Sequence, residues 1–464
     1  MAQQITISPI DGRELVRREL ATPDRLATIM QHAREAQREW NLSPLSERCR
    51  LLSAGVDRFV QCKAQIAEDI TRQIGRPLRH TPNEVDGFAL RARRMIAMAE
   101  SALAPIRPEP IDHFTRFIAR EPWGTVLVVA PWNYPLLTAV NVVVPALAAG
   151  NAVILKHSAQ TPLAGEAIVN AFVEAGVPQG VLQFIHCDHD ATQAMIASPG
   201  IDCVSFTGSV AGGEAVERAA AGRFIGVGLE LGGMDPAYVR ADADIKLSAD
   251  TIVDGAFFNA GQSCCGIQRV YVHRSRYDEF LDAAISLTNA YVLDDPMLPH
   301  TTLGPVVRSS AAEAVREVVA EAMGRGARGV VDAKRFGRDR RGSPYLAPQI
   351  LVSVDHSMRL MSEECFGPVC GVMPVADDEE ALALMNDSRY GLTAAVFTRD
   401  EEAALAMGSK LEVGTVYMNR CDVLDPALPW TAVKASGRGA TLSVLGYEQL
   451  TRPKSYHFKR GTGQ

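Results

Sequence analysis

The segment NAGQSCCG (259–266) puts two cysteines next to each other, directly after a glycine-containing turn. A cysteine thiol is a strong nucleophile once it is ionised, so Cys264 and Cys265 are both candidates for covalent catalysis. Free cysteine is also among the most buried residue types, so both side chains could instead be packing residues. Adjacent side chains of an extended loop point to opposite sides, and we therefore expect only one of the pair to face a reaction site.

Two further side chains are suited to cooperate with such a thiol. Glu230 lies near the end of an apolar run (224–231) and is followed by Leu231 and two glycines. A carboxylate beside a thiolate is unfavourable, so Glu230 suits the activation of a water better than the deprotonation of a cysteine. Asn133, in the loop APWNYP, is a neutral amide donor of the kind that stabilises an oxyanion. The alternatives are an ion-pair partner or helix cap for Glu230 and an ordinary turn residue for Asn133.

A glycine-rich turn, FTGSVAGG (206–213), lies where a predicted strand ends and a helix begins. Backbone N–H groups and the helix dipole favour a phosphate at such a position, although the spacing is not G-x-G-x-x-G. Lys156, at the end of the apolar run AVILK, is either a second anion contact or a solvated lysine. Together they predict an anion-binding face at the carboxyl ends of a parallel sheet.

The elements that must position these residues begin with helices: apolar positions recur at three- and four-residue spacing over 23–40, 44–68 and 83–102. From Gly124 the pattern changes to short apolar strands separated by helices, typical of a doubly wound parallel sheet in an α/β fold. The strands of this series are predicted at 125–130, 152–156, 180–186, 203–208 and 224–231. A second α/β series has strands predicted at 269–273, 345–353, 369–375, 392–398 and 414–419.

The whole-chain composition is that of a soluble globular enzyme, with 464 residues, 22% of them charged, and a net charge of −7. The absence of a basic block argues against a nucleic-acid partner. The N-terminus does not resemble a signal peptide, and the apolar stretch 136–149 is too short for a membrane span, so we expect a buried helix there and no membrane association. Nine cysteines without a C-x-x-C pair argue against disulfides and a metal site, and they favour the reducing cytoplasm.

An ordered set of motifs carries a resemblance to a known family: EPWGTVLVVAPWNYP, AVILKHSAQTP, FTGS, ELGG, NAGQSCCG and EECFGPV. In order and spacing, from about residue 20 to residue 440, the chain resembles the aldehyde dehydrogenase superfamily. The resemblance implies oxidation of an aldehyde to a carboxylic acid through a cysteine thiohemiacetal and thioester. It makes Cys264 the nucleophile, Cys265 a neighbour that is not required, Glu230 the base for water and Asn133 the oxyanion donor.

The resemblance also implies a binding site for NADP or NAD. The residues that match the family's cofactor contacts are Trp132, Lys156, Ser158, Ala159, Gly208, Ser209, Glu364 and Phe366. NADP is slightly favoured, because Ala159 stands where the family often has a glutamate that would repel a 2′-phosphate. Tyr134, Phe258, Leu424 and Trp430 match the substrate tunnel and suggest an apolar or aromatic aldehyde.

The family architecture predicts a Rossmann-like cofactor domain (1–105 and 124–229), a second α/β catalytic domain (230–430) and a small oligomerisation arm (106–123 and 431–464). Such an arm implies a homodimer or a homotetramer. Two alternatives are a non-catalytic structural or binding member of the fold, and a coenzyme A-acylating dehydrogenase. The intact Cys264, Glu230 and Asn133 argue against the first. Glu230 argues against the second, because a thioester handed to another thiol needs no base for water. A plain thiol esterase is a third alternative.

Overall fold

The computed structural model describes residues 2–461, beginning with a short antiparallel hairpin and four helices. Their bounds are β1 (Gln3–Ile7), β2 (Glu14–Glu19), α1 (Pro23–Leu42), α2 (Leu45–Gln61), α3 (Lys63–Ile74) and α4 (Thr81–Leu103). Helices α1 and α4 lie close to the helices predicted over 23–40 and 83–102, whereas the single helix predicted over 44–68 is two helices, α2 and α3. Helix α3 ends at Gly75, whose φ of 81° is the left-handed conformation that glycine adopts readily. The hairpin was not predicted, because its strands are short and mostly exposed.

A six-stranded sheet follows, built from the first α/β series. Its elements, with the strand that precedes them, are β3 (Phe114–Pro122), β4 (Thr125–Ala130), α5 (Leu137–Ala148), β5 (Ala152–His157), α6 (Pro162–Glu174), β6 (Leu182–Phe184), α7 (His189–Ala197), β7 (Cys203–Thr207), α8 (Val210–Ala220) and β8 (Gly226–Glu230). Strands β4 to β8 are parallel, in the spatial order β8-β7-β4-β5-β6. Every residue of β4 and β5 is buried, as their continuous apolar runs predict.

The second α/β series forms a seven-stranded sheet. Its elements are β9 (Asp235–Val239), α9 (Ile245–Phe257), β10 (Ile267–His273), α10 (Tyr277–Asn289), α11 (Ser309–Gly324), β11 (Arg328–Gly329), β12 (Gln349–Val352), α12 (Arg359–Ser362), β13 (Val369–Val375), α13 (Asp378–Asn386), β14 (Tyr390–Gly391), β15 (Thr393–Phe397), α14 (Glu401–Gly408) and β16 (Thr415–Met418). The spatial order is β11-β12-β13-β10-β9-β15-β16.

Strand β9 lies near the centre of this sheet although it contains Pro236, and the sequence did not predict it. Proline cannot donate a ladder hydrogen bond and is expected at edges or bulges. The pairing of β9 with β10 shifts register between Ile267 and Arg269, opposite this proline. The irregularity accommodates the missing N–H in an otherwise buried strand.

The C-terminal residues contain short strands, one helix and a long strand: β17 (Trp430–Thr431), β18 (Val433–Lys434), β19 (Gly437–Arg438), β20 (Ala440–Thr441), α15 (Ser443–Gln449) and β21 (Thr451–Lys459). Strand β21 pairs with β3 along its full length. Strand β19, however, adds to β8 at the edge of the six-stranded sheet, and Tyr447 of α15 is fully buried in the same core as α4 and α5. The segment 431–464 was predicted as one arm, and its described part, 431–461, is therefore divided between that core and the β3–β21 ribbon.

Hydrophobic clusters cover both faces of each large sheet, which is the doubly wound arrangement that the strand pattern predicts. The apolar stretch 136–149 forms the buried helix α5, as predicted. Across residues 2–461, no helix combines the length and apolarity that crossing a bilayer would require.

Candidate active site

The cysteine pair follows an unusual turn at the end of α9. Asn259, Ala260 and Gly261 all have positive φ, of 53°, 55° and 69°. A side chain at Gly261 would collide with the backbone of Gly367, so only glycine fits there. Gln262 fixes the turn: its Nε2 donates to the Asn259 carbonyl oxygen (3.0 Å) and its Oε1 accepts from the Val307 N–H (2.7 Å). Left-handed residues of this kind cost free energy, and the surrounding contacts hold them in place.

Cys264 and Cys265 themselves form a turn. The alternation argument for an extended loop is therefore wrong for this pair. What distinguishes the two thiols is burial, because Cys265 is 5% exposed within the core whereas Cys264 is only half-buried at its surface. The neighbouring Cys265 thiol, together with burial, raises the pKa of Cys264 well above its usual value. In this state the Cys264 side chain is a protonated thiol.

Asn133 lies against the cysteine loop. Its side-chain Nδ2 donates to the Gln262 carbonyl oxygen at 3.2 Å, two residues before Cys264. Its own carbonyl oxygen accepts from Asn259 Nδ2 at 3.1 Å. An amide nitrogen has two hydrogens, so the second hydrogen of Asn133 Nδ2 is available for a bound oxygen atom. The two predicted residues are thus brought together by hydrogen bonds between their loops.

A buried ion pair that the sequence reasoning missed supports both loops. Arg76 donates to Glu84, to the carbonyl oxygen of Asn133 and to Asn259 Oδ1, with both charged side chains at most 2% exposed. Glu84 Oε1 in turn accepts from the Leu136 N–H at 2.9 Å. Removing one partner of such a pair leaves an uncompensated buried charge, which is strongly destabilising. The only feature of the sequence that could have indicated this ion pair was a carboxylate on the buried face of α4.

Glu230 ends strand β8 and is held by two hydroxyl groups. Thr207 Oγ1 donates to Glu230 Oε2 at 3.2 Å, and Thr441 Oγ1 donates to Oε1 at 2.5 Å. Burial raises the pKa of Glu230, while the hydrogen bonds from Thr441 and Thr207 and the charge of Arg91 oppose that rise. Thr441 belongs to the segment predicted as an arm, and no local pattern connects it with a residue 211 positions earlier.

The two glycines after Glu230 connect several of the predicted residues. A side chain at Gly232 would collide with the Glu364 carboxylate, and one at Gly233 with the Cys264 carbonyl oxygen. The Gly233 N–H donates to Glu364 Oε1 at 3.1 Å, and burial raises the pKa of Glu364 to about 7. The Phe366 ring packs edge-on against Trp132 with ring centroids 5.6 Å apart. These contacts gather Glu364, Phe366 and Trp132 on one side of the cysteine loop.

Asp235 begins strand β9, two residues after Gly233. Its carboxylate is 1% exposed and accepts from the backbone N–H of Thr393 (3.1 Å) and from the Thr393 hydroxyl. Burial raises the pKa of Asp235 to about 8. These bonds connect β9 to β15, so Asp235 has a structural role.

The predicted phosphate loop lies at the carboxyl ends of β5 and β7. Ser209 caps α8, and its Oγ accepts from the Gly212 N–H at 3.2 Å. A side chain at Gly208 or Gly212 would collide with the Phe206 ring, and glycine at both positions leaves the loop backbone without side chains that would cover it. Lys156 is buried at the end of β5, and burial lowers its pKa. A helix N-terminus, and a cation at the carboxyl end of a strand in the same sheet, both suit a phosphate-bearing ligand.

The predicted substrate contacts are divided. Leu424 and Trp430 pack in the same hydrophobic cluster as Cys264 and Trp132. Tyr134 lies beneath the Arg76 guanidinium, 4.4 Å from the ring centroid. Phe258 instead packs edge-on against His80, with centroids 5.2 Å apart, and is not part of that cluster. Within the described residues, no group of His, Cys, Asp and Glu side chains converges as a metal site.

Comparison with known proteins gives a consistent set of relatives. The sequence model of the Aldehyde dehydrogenase family matches residues 2–456. The chain is 32% identical over 451 residues to the succinate-semialdehyde dehydrogenase [NADP(+)] of Deinococcus radiodurans, covering 97% of this chain and 93% of the relative. It is 31% identical over 449 residues to a succinate semialdehyde dehydrogenase [NAD(P)+] of Escherichia coli K12, covering 96% of each.

A solved structure agrees with these sequence matches. The NADP-dependent glyceraldehyde-3-phosphate dehydrogenase of Bacillus halodurans, complexed with NADP, superposes with a TM-score of 0.93. The sequence identity is 32%, and the match covers 99% of this chain and 96% of that one. Likeness thus extends through sequence and fold along nearly the whole chain.

Proposed function

The chain belongs to the aldehyde dehydrogenase family, and from that premise we propose that Cys264, Asn133 and Glu230 carry out its reaction. The protein oxidises an aldehyde to a carboxylic acid with NADP or NAD as the acceptor. The observation that carries the residue assignment is the hydrogen bond from Asn133 Nδ2 to the Gln262 carbonyl oxygen, which holds an oxyanion donor against the nucleophile loop.

The reaction begins when the Cys264 thiol releases its proton to solvent water and its sulfur bonds to the carbonyl carbon of the aldehyde, whose C=O π electrons move onto the oxygen. The negative charge that develops on the oxygen is stabilised by the Asn133 side chain and the Cys264 backbone N–H. A bound nicotinamide cofactor would supply the hydride acceptor, and loss of the hydride from the adduct would leave a thioester on Cys264. Glu230 then takes a proton from a water, whose oxygen attacks the thioester carbon. The carbon–sulfur bond breaks and the carboxylic acid leaves.

The residues that would hold the cofactor fit a dinucleotide. Gly208, Ser209 and the start of α8 offer backbone N–H groups to the pyrophosphate, and Lys156 and Ser158 lie at the end of β5, which β4 separates from β7 in the same sheet. Glu364 uses one carboxylate oxygen for Gly233, which leaves the other for a ribose hydroxyl. Phe366 and Trp132 provide an apolar wall for the nicotinamide. On this proposal the six-stranded sheet forms the cofactor domain and the seven-stranded sheet the catalytic domain.

The function is tested by assaying a panel of aldehydes with the purified chain and following the absorbance of the reduced nicotinamide. Turnover that is lost on alkylation of Cys264 supports the proposal, and inactivity against the whole panel contradicts it. Adding coenzyme A separates the acylating alternative, because that alternative yields an acyl thioester instead of a free acid. The comparisons do not favour the alternatives, since the relatives reported above are NADP- or NAD-dependent aldehyde dehydrogenases.

We expect Thr441→Val to shift the pH dependence of thioester hydrolysis. Glu230 must be ionised to act as a base, so the rate rises with pH through the pKa of Glu230. A hydrogen bond to a charged group contributes about 1.5–3 kcal/mol, or about 1–2 pH units. Because Thr441 favours the ionised form, its loss raises the pKa of Glu230 and moves the ascending limb of the kcat profile to higher pH.

The matched control is Thr431→Val, on the neighbouring strand β17, whose hydroxyl donates to the Gly439 carbonyl oxygen rather than to Glu230. Its profile should coincide with that of the wild type. An unshifted limb in Thr441→Val would show that this hydroxyl does not influence the base.

We expect the wild type to use NADP⁺ at least as well as NAD⁺, and Ala159→Glu to reverse this preference. The new carboxylate would accept hydrogen bonds from the ribose hydroxyls and repel a 2′-phosphate, an effect of about ten- to a hundredfold. Asp188, another acid near Lys156, already caps α7 by accepting from the Ala191 N–H at 2.8 Å. The measurement is kcat/KM for both cofactors, with Ala159→Gln as the neutral control.

A wild type that strongly prefers NAD⁺, with no further change in Ala159→Glu, would contradict the role of Ala159. Equal shifts in the glutamate and glutamine variants would point to side-chain size instead of charge.

The β3–β21 ribbon is proposed as a subunit contact. Two-stranded ribbons are marginally stable alone. This one stacks Phe117 on Tyr456 (4.4 Å between centroids) and leaves Phe458 56% exposed. An exposed aromatic ribbon suits a partner surface, and light scattering of the full chain distinguishes a homodimer from a homotetramer. All nine cysteines are free, which supports location in the reducing cytoplasm.

A further inference from the structure

Arg91, on α4, is a buried cation without a charged partner. Arg91 is only 9% exposed. Its Nη1 donates to two neutral acceptors, the Leu137 carbonyl oxygen (3.0 Å) and Asn141 Oδ1 (3.1 Å). Among residues 2–461 no carboxylate forms an ion pair with it. An arginine stays protonated and offers five N–H donors, and a buried charge without a counter-ion is costly.

Asn141, on α5, is a second buried donor beside it. Asn141 is 2% exposed, and its oxygen is occupied by Arg91 while its Nδ2 has no acceptor among the described residues. The side-chain atoms that are both sealed and unpartnered in this part of the chain are Arg120 Nε, Thr125 Oγ1 and Asn289 Oδ1. The spare donors of Arg91 and Asn141 are not among these sealed atoms.

This pair lies close to the reacting sulfur. Leu137 and Asn141 are in the first turns of α5, which begins just after Asn133. The titratable groups whose ionised forms would attract the Arg91 guanidinium are, largest effect first, Glu230, Glu84, Cys265 and Cys264. The two carboxylates are otherwise engaged, since Glu84 pairs with Arg76 and Glu230 accepts from two threonines. An external anion is the remaining partner for the spare donors.

We propose that Arg91 and Asn141 bind an anionic group, a carboxylate or a sulfonate, at the far end of the aldehyde substrate. The inference rests on the proposed function and narrows its substrate class. The apolar side chains of Leu424 and Trp430, which share the cluster of Cys264, contact the middle of such a substrate. A planar guanidinium matches the geometry of these anions, and an amide N–H adds a further donor.

The test compares kcat/KM for 4-carboxybenzaldehyde, 4-formylbenzenesulfonate and benzaldehyde, and for succinate semialdehyde and butanal. The wild type should prefer the anionic member of at least one matched pair. Comparing 4-carboxybenzaldehyde with 4-formylbenzenesulfonate shows which anion the site accepts. Arg91→Met should lower the anionic-to-neutral ratio by about ten- to a hundredfold. Arg91→Lys, which keeps a cation, should retain part of the preference. Arg94→Met, an exposed arginine on the same helix, should leave the ratio at the wild-type value.

A wild type that favours the neutral aldehyde in both pairs would overturn the proposal, as would an unchanged ratio in Arg91→Met. An equal loss of kcat/KM for anionic and neutral aldehydes would also overturn the proposal, since that result would mean that Arg91 acts on Glu230 instead of on the substrate. Failure of the proposed function is distinguishable, because the wild type would then oxidise none of the five aldehydes.

Discussion

Cys264→Ala abolishes aldehyde oxidation, and Cys265→Ala keeps most of it. Without the Cys264 sulfur neither the adduct nor the thioester can form, so we expect kcat to fall by on the order of 10⁴-fold or more. Cys265 is 5% exposed in the core, and its replacement removes one buried sulfur, which affects stability more than chemistry. The measurement is steady-state turnover of both purified variants at saturating aldehyde and cofactor.

Because the two residues share one turn, each variant is the matched control for the other. An equal loss of turnover in both variants would contradict the assignment of Cys264 as the nucleophile. A loss of turnover confined to Cys265→Ala would identify Cys265 as the nucleophile instead. Retention of the wild-type melting temperature in Cys264→Ala would exclude unfolding as the cause of its inactivity.

Glu230→Gln separates hydride transfer from hydrolysis. Glutamine retains the shape, and its single oxygen can accept from one of the two threonine hydroxyls while its NH2 donates to the other, but it cannot take a proton from water. General-base catalysis contributes about 10²–10⁴-fold, so kcat falls by that factor while the first turnover continues. Rapid mixing should therefore give a burst of reduced cofactor that matches the concentration of active sites.

Glu174→Gln, which alters an exposed carboxylate on α6, provides the control and should behave as the wild type. If single-turnover hydride transfer in Glu230→Gln slows as much as steady-state turnover, then Glu230 acts before the thioester forms.

Local patterns predicted much of the fold. Strands β4 and β5 are continuous apolar runs buried on both faces, and their predicted bounds agree closely with the structure. Strand β9 was missed because Pro236 argues against a central strand and only its pairing with β10 shows the compensating irregularity. The hairpin β1–β2 was missed because its short strands have little apolar signal.

The contacts that support the proposed site residues were not predicted from the sequence. The motifs around Cys264, Glu230 and Asn133 are local in sequence, so a resemblance could identify them. The contacts of Glu230 with Thr441, and of Arg76 with Glu84, Asn133 and Asn259, join distant segments. Such pairings depend on how helices and sheets pack, which spacing along the chain does not encode.

The central claim is that the reaction passes through a thioester on Cys264. The most direct measurement is peptide mass spectrometry of Glu230→Gln after rapid acid quenching with aldehyde and NADP⁺. We predict the mass of the acyl group on the peptide that contains Cys264, with the modification located on that residue by fragmentation and absent when NADP⁺ is omitted. An acyl group on Cys265, or a burst of reduced cofactor without any acylated cysteine, would contradict this account.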